Sequence, residues 1–271
     1  MCSMMYCWDT NQRQIMAISK GFLDCLVRYL QVAAGNSPMA IIGDQSFRCS
    51  IFDVKLCSKQ TPRLLRWIES KLKAPNENPV NRGEFLKIFK INESIGFDLN
   101  GNPDVILDLS QPIPGKYVNN FRSLLEIGTL EHIMNPFQAL VNFDKMVTEG
   151  GIIIHFSPIK INPNHGYYSI SPQLLFDFYL SDDNYKLITA ELISYYISYD
   201  SLLSPMLVTS YNLNQDLIHY RSLGFLRTLK RKLRRLSIFF STGTYIGFVV
   251  KKISSRNRHY PTIVQHQFKS Q

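Results

Sequence analysis

No aspartate or glutamate follows Asp216. The segment beyond it carries twelve lysines and arginines, whereas the preceding part holds 18 basic and 21 acidic residues. The net charge of +9 therefore belongs to the C-terminal segment and not to the body of the chain. Cysteine is scarce and badly distributed for cross-linking. The five (Cys2, Cys7, Cys25, Cys49 and Cys57) lie within the first 57 residues, their number is odd, and no Cys-x-x-Cys occurs. That excludes a disulfide frame and a thiolate zinc site, and reads as reduced thiols in a cytosolic protein. No apolar run reaches the roughly 18 residues that a membrane-spanning helix needs. The nearest, Ser237 to Val250, is broken by Ser, Thr and Gly. The N-terminus shows no basic region followed by an apolar run, so no signal peptide is expected. Internal repeats and low-complexity tracts are absent as well.

What is present is alternation. Residues 1–14 read as a flexible tail. Apolar residues from Ile15 to Ala34 recur at helical spacing (Phe22, Leu23, Leu26, Val27, Leu30), and Gly35-Asn36 would end that helix. Met39 to Gly43 reads as a buried strand, Ile51 to Leu56 as another, and Thr61-Pro62 opens a helix to about Leu72. Residues 73–82 form a Pro/Asn-rich loop, and a short helix covers Gly83 to Phe89. Strands follow at Ser94–Asp98, Val105–Leu109, Ser123–Ile127 and Ile152–Phe156. A helix begins at Asn135-Pro136 and runs to about Val147, with Gly150-Gly151 as its stop. Ser171-Pro172 starts a further helix to Leu180, Tyr185 to Ile193 is a strand, Arg221 to Phe240 a basic helix, and Thr244 to Lys252 a last strand.

Strands alternate with helices, and several strands are apolar throughout, as burial by helices on both faces demands. The pattern predicts one doubly wound, mostly parallel α/β domain over residues 15–253, with an insertion at about 50–82 and a basic polar tail at 254–271. In such sheets ligands bind outside the carboxyl ends of the strands, at the switch in strand order. The residues there are Gly43-Asp44-Gln45, Asp98, Asp108-Leu109, Ile127-Gly128 and Ser157-Pro158. An acid straight after an apolar strand can accept hydrogen bonds from ribose hydroxyls; Asp is equally a turn former through its own backbone.

The stretch SIGFDLNGNPDVILDLSQPIP, then LLEIGTLEHIMNPFQALVNFDKMVTEGGIIIHFSP, then NHGYYSISPQLLFDFY resembles class I S-adenosylmethionine-dependent methyltransferases. The resemblance covers roughly residues 39–193. It implies a Rossmann-like sheet of the seven-stranded type and S-adenosyl-L-methionine as cofactor. By it, Asp98, with Leu99 beside it, matches the ribose-binding acid. Asp108 and Leu109 flank the adenine, and Ile127 and Gly128 supply strand-end backbone near the methionine part. Glu131 and His132 match the turn closing the same pocket, while Asn164, His165 and Tyr167 face the methyl acceptor. Gly43, Asp44 and Gln45 stand where the family has its glycine-rich loop. Here that loop, AIIGDQSF, has a single glycine, which leaves a catalytically degenerate binding or scaffold protein as the alternative to an enzyme.

His165 is the first candidate for a general base and His132 the second, since imidazole is matched to neutral pH. No metal is expected at Glu131-His132: a His-Glu-x-x-His helix would need a second histidine four residues on, and Asn135-Pro136 intervenes. The calcium-loop likeness of Asp98 to Leu109 fails, because its glycine is misplaced and Leu109 stands where a bidentate Glu belongs. His155, inside an apolar strand, reads as a hydrogen-bonded core histidine. For the basic helix at 221–240 the readings are a solvated face, a peripheral anionic membrane surface, or an acidic or phosphate-bearing substrate; nucleic acid ranks last. The acceptor itself reads as a small molecule or a glycan.

Overall fold

The computed structural model describes residues 17–18, 20–43, 46–47, 62, 64–67, 81–160, 165–196, 207–212, 243–256 and 260. The expected strand at Ile51–Leu56, the basic helix at 221–240, Asp44, Gln45 and Asn164 lie outside them. Among the described residues are ten strands and four α-helices. In chain order they are β1 (Ala17–Ile18), α1 (Lys20–Val32), β2 (Met39–Ile42), β3 (Ser46–Phe47), α2 (Arg82–Ile88), β4 (Ser94–Asp98) and β5 (Val105–Ile106). Then come β6 (Phe121–Ile127), α3 (Pro136–Met146), β7 (Val147–Lys160), α4 (Pro172–Leu180), β8 (Tyr185–Tyr196), β9 (Leu207–Asn212) and β10 (Gly243–Lys252). Pro62 and residues 64–67 are helical, at the position of the helix expected from Thr61-Pro62.

The main sheet has eight strands in the order β5-β4-β2-β6-β7-β10-β8-β9. The first five run parallel. β10 is antiparallel to both β7 and β8, so β8 points the same way as β7, and β9 returns along the edge of β8. This is a doubly wound, mostly parallel, Rossmann-like α/β sheet of eight strands. Strand order reverses between β2 and β6. Side chains alternate across the sheet with period two. Ile41, Leu125, Ile127 and Ile154 pack on one face with Leu26, Leu30 and Phe85 from α1 and α2. Ala40, Ile42, Leu124 and Ile153 pack on the other with Leu140, Phe143 and Phe178 from α3 and α4.

The helices begin where their caps dictate. Asn81 Oδ1 accepts from the Glu84 N–H, Asn135 Oδ1 from Gln138 N–H, and Ser171 Oγ from Gln173 N–H, with Pro136 and Pro172 in the first turns. Four expectations need correction. The first helix starts at Lys20, because Ala17-Ile18 pairs with β3 instead. The strand expected at Val105–Leu109 is two residues long, and Asp108 sits in the turn beyond it. Gly150-Gly151 does not stop α3, which ends at Met146. Both glycines lie inside the fourteen-residue β7, where the register against β6 shifts and a Cβ on Gly151 would meet Val147 and the Arg122 carbonyl. The sheet has an eighth strand, β9, that the sequence reading did not place.

Two ionic knots, one half-buried and one buried, tie described elements together. Arg28 of α1 grips Glu191 of β8 with both guanidinium nitrogens at 2.7 Å. Lys252, 2% exposed, lies 3.3 Å from Asp144 and donates to the Asp144 and Val147 carbonyls. Tyr260, from the segment read as a polar tail, stacks on Phe178 and donates to Asp144.

Candidate active site at the switch in strand order

The carboxyl ends of β2, β4 and β6 meet where the strand order reverses. Gly43 follows β2 at φ 90° and Gly128 follows β6 at φ 59°, left-handed backbone that glycine adopts without strain. The Gly43 N–H donates to the Phe97 carbonyl of β4, and the Thr129 hydroxyl donates to the Ile42 carbonyl of β2. These bonds hold three strand ends around one crevice.

Asp98 ends β4. Its Oδ1 accepts from the N–H groups of Leu99 and Asn100, at 2.7 and 3.2 Å, so the turn-forming role is realised. Leu99 and Ile106 stand beside Asp98, 55% and 73% exposed, and offer apolar surface at the strand ends. Asp108 likewise closes its own turn through the Ser110 N–H. Leu109 turns its side chain into the core, so it can offer a ligand only main chain; the same holds for Ile127. The loop after Asp108 is held by Asn142 of α3, whose Nδ2 donates to the carbonyls of Leu109 and Gln111.

Beyond β6 the chain makes a 3-10 turn at Leu130–His132. Glu126, buried in β6, organises it. Its Oε1 accepts from the N–H groups of Thr129 and Leu130, and its Oε2 from Ser157 Oγ and His155 Nδ1. An ionised carboxylate only accepts, which puts the His155 proton on Nδ1 and lets Nε2 accept from the Tyr179 hydroxyl at 2.8 Å. Burial works against the charge of Glu126, but His155, the Thr129 N–H and Ser157 outweigh it and hold the group below its ordinary value. His155 is thus the hydrogen-bonded core histidine its setting implied.

Glu131 is as deeply buried and far less well served. The loop carrying His165 docks on it: the N–H groups of Tyr167 and Tyr168 donate to the Glu131 carbonyl, and the Tyr168 hydroxyl donates to the Met134 carbonyl. Gly166 is required by this approach, since a Cβ there would come within 3.0 Å of Glu131. The docking sets His165 Nε2 3.3 Å from Glu131 Oε1, with His132 Nε2 3.8 Å from the same oxygen. The two imidazole rings lie 5.1 Å apart. Glu131 Oε2 is buried with no hydrogen-bond partner among the described residues. Burial first, and the charge of Glu126 with it, push the Glu131 carboxyl up to about 7 against the pull of His165. Burial, then the neighbouring His165, lower His132; Glu126 and Asp98 act in the opposite direction, which places Asp98 within electrostatic reach of the imidazole.

The expected residues Gly43, Asp98, Gly128, Glu131, His132 and His165 therefore share one end of the sheet, with Tyr167 65% exposed beside them. Sequence reasoning missed Glu126, Thr129 and Asn142. The available signal for Glu126 was a carboxylate inside an apolar strand, which must find partners when buried.

No family model matches this sequence, and no curated protein does. Among solved structures, a S-adenosylmethionine-dependent methyltransferase from Archaeoglobus fulgidus is similar at 15% identity, over 86% of this chain and 95% of that one, with a TM-score of 0.44. An O-methyltransferase of a Brevibacillus brevis multienzyme, in complex with S-adenosyl-L-homocysteine, is similar at 14% identity over 83% and 71%, TM-score 0.34. The [4+2]-cyclase SpnF is similar at 12% over 86% and 81%, TM-score 0.39. These similarities are distant, and the function of this chain is read from its own topology and side chains.

Proposed function

We propose that this protein is a S-adenosylmethionine-dependent methyltransferase acting on a small-molecule or glycan acceptor. The carrying observation is the convergence of Asp98, Gly43, Gly128 and the Glu131-His132-His165 cluster at the switch point of a doubly wound sheet. Ligands of such sheets bind there. In this reading Asp98 and the apolar surface of Leu99 hold the nucleoside end of the cofactor, and the main chain at Ile127-Gly128 faces its methionine end. The sulfonium supplies an already activated methyl group. The chain's task is to hold the acceptor in line and keep water out. His165 is the first imidazole in reach of the acceptor to exchange a proton with it, and His132 is the second. Tyr167 supports the reading as an exposed aromatic surface on the acceptor side, in the loop whose Tyr168 hydroxyl donates to the Met134 carbonyl.

Titration calorimetry with S-adenosylmethionine and S-adenosylhomocysteine tests this. Binding of either supports it, and Asp98→Ala should then weaken affinity by about 1.5–3 kcal/mol, the scale of a charge-assisted hydrogen bond. Absence of binding at millimolar ligand would refute the enzyme; unchanged affinity in Asp98→Ala would refute the ribose assignment.

A further inference from the structure

We propose that Glu131, His132 and His165 form a binding site for a first-row divalent cation, zinc(II) by its ligand set. One ligand atom from each, a carboxylate oxygen and two imidazole nitrogens, can be chosen so that all lie within 4.8 Å of one another. Two histidines and one carboxylate suit zinc, iron or manganese, and leave coordination positions open. The 3.3 Å between Glu131 Oε1 and His165 Nε2 already matches the edge of a tetrahedron of roughly 2.0 Å bonds. The 3.8 Å to His132 Nε2 needs only a small rotation of an imidazole that is partly exposed.

The second observation is the buried carboxylate itself. Two glutamates five positions apart, Glu126 and Glu131, are both 0% exposed. Glu126 receives four hydrogen bonds. Glu131 receives one from a side chain, at 3.3 Å, and leaves Oε2 with no partner among the described residues. The described basic side chains in contact with the Glu131 carboxyl are the two histidines and no lysine or arginine. Buried carboxylates are paired or coordinate metals, and this one holds Oε1 3.3 and 3.8 Å from two imidazole nitrogens. His132 and His165, 28% and 16% exposed, give the cation its way in.

The site goes beyond methyl transfer and does not require it. A cation held by His165 would make that side chain a ligand, so its proton-exchanging role belongs to the metal-free chain. A hydroxyl-bearing acceptor coordinated at an open position would then give up its proton to solvent more readily, which favours oxygen as the methylated atom.

The test uses the full chain stripped with chelator, then titrated with Zn²⁺ and with Co²⁺ as a visible-spectrum probe, without cofactor or acceptor. The expected result is one equivalent bound per chain, with a rise in melting temperature, and loss of that equivalent in Glu131→Gln, His132→Ala and His165→Ala. No stoichiometric binding at 100-fold excess metal, or binding retained in any of the three variants, overturns the site. Where a variant fails to fold, X-ray absorption on the zinc-loaded wild type reads the ligands directly. A shell of nitrogen and oxygen supports the site, and a sulfur shell from the N-terminal cysteines overturns it. Because this readout needs no cofactor, its failure is distinct from a failure to bind S-adenosylmethionine.

Discussion

Replacing Glu126 tests how the strand end after β6 is built. Glu126→Ala removes the acceptor for the N–H groups of Thr129 and Leu130, and strands His155 Nδ1 and Ser157 Oγ. Each buried polar group left unpaired costs about 1–3 kcal/mol, but the four share one cavity and water can enter it, so the costs do not simply add. Breaking a buried pair from one side costs about 3–5 kcal/mol, and we take that as the expected loss. At roughly 2–4 °C per kcal/mol for a domain of this size, melting should fall by about 6–20 °C. Glu126→Gln is the decisive control. Its amide oxygen keeps both main-chain donors, and its nitrogen can donate to Ser157 and to His155 once the imidazole proton moves to Nε2. It should lose no more than about 1.5 kcal/mol. Denaturant unfolding followed by circular dichroism measures both. Equal losses in the two variants, or a loss below about 1 kcal/mol in Glu126→Ala, would refute the assigned network. The pH dependence supplies a second check. The folded group titrates below its ordinary 4.5. Its contribution is complete above that value and is lost as pH falls through the folded value. The glutamine variant should lack this acid-side step.

Glu131 behaves in the opposite sense. With its carboxyl at about 7 when folded and 4.5 when free, the folded chain holds the extra proton between those values, so stability falls as pH rises across that window. In chelator, Glu131→Gln should therefore be more stable than wild type above pH 7 and equal to it below about 4.5, by thermal melts across pH. Gly247→Ala should destabilise by about 1–3 kcal/mol, because its Cβ would strike the ring and hydroxyl of Tyr29; Tyr29→Phe in the same chain should recover part of the loss, read by denaturant midpoints. Lys252→Met removes the ammonium held by Asp144 and two carbonyls and should cost about 3–5 kcal/mol, measured the same way.

The sequence by itself determined the elements whose signals are local. Asn135-Pro136 and Ser171-Pro172 mark helix starts because side chain and ring act on the backbone next to them, and both helices begin there. Met39–Ile42 is readable as a buried strand because a continuous apolar run has nowhere else to go, and Ser94–Asp98 as a short strand ending in an acid. Gly150-Gly151 misled, since a glycine pair signals a backbone irregularity without saying whether it ends a helix or bulges a strand; pairing with β6 decided that. The tertiary structure alone decided the site. Glu131 and His132 are neighbours in the chain, but His165 reaches them from a loop beyond β7, and a search for a histidine one helical turn away could not find it. Nor could composition separate Glu126 from Glu131. One carboxylate lies in an apolar strand and the other in the turn after it, and only packing gives four donors to the first and sets Oε1 of the second facing two imidazoles.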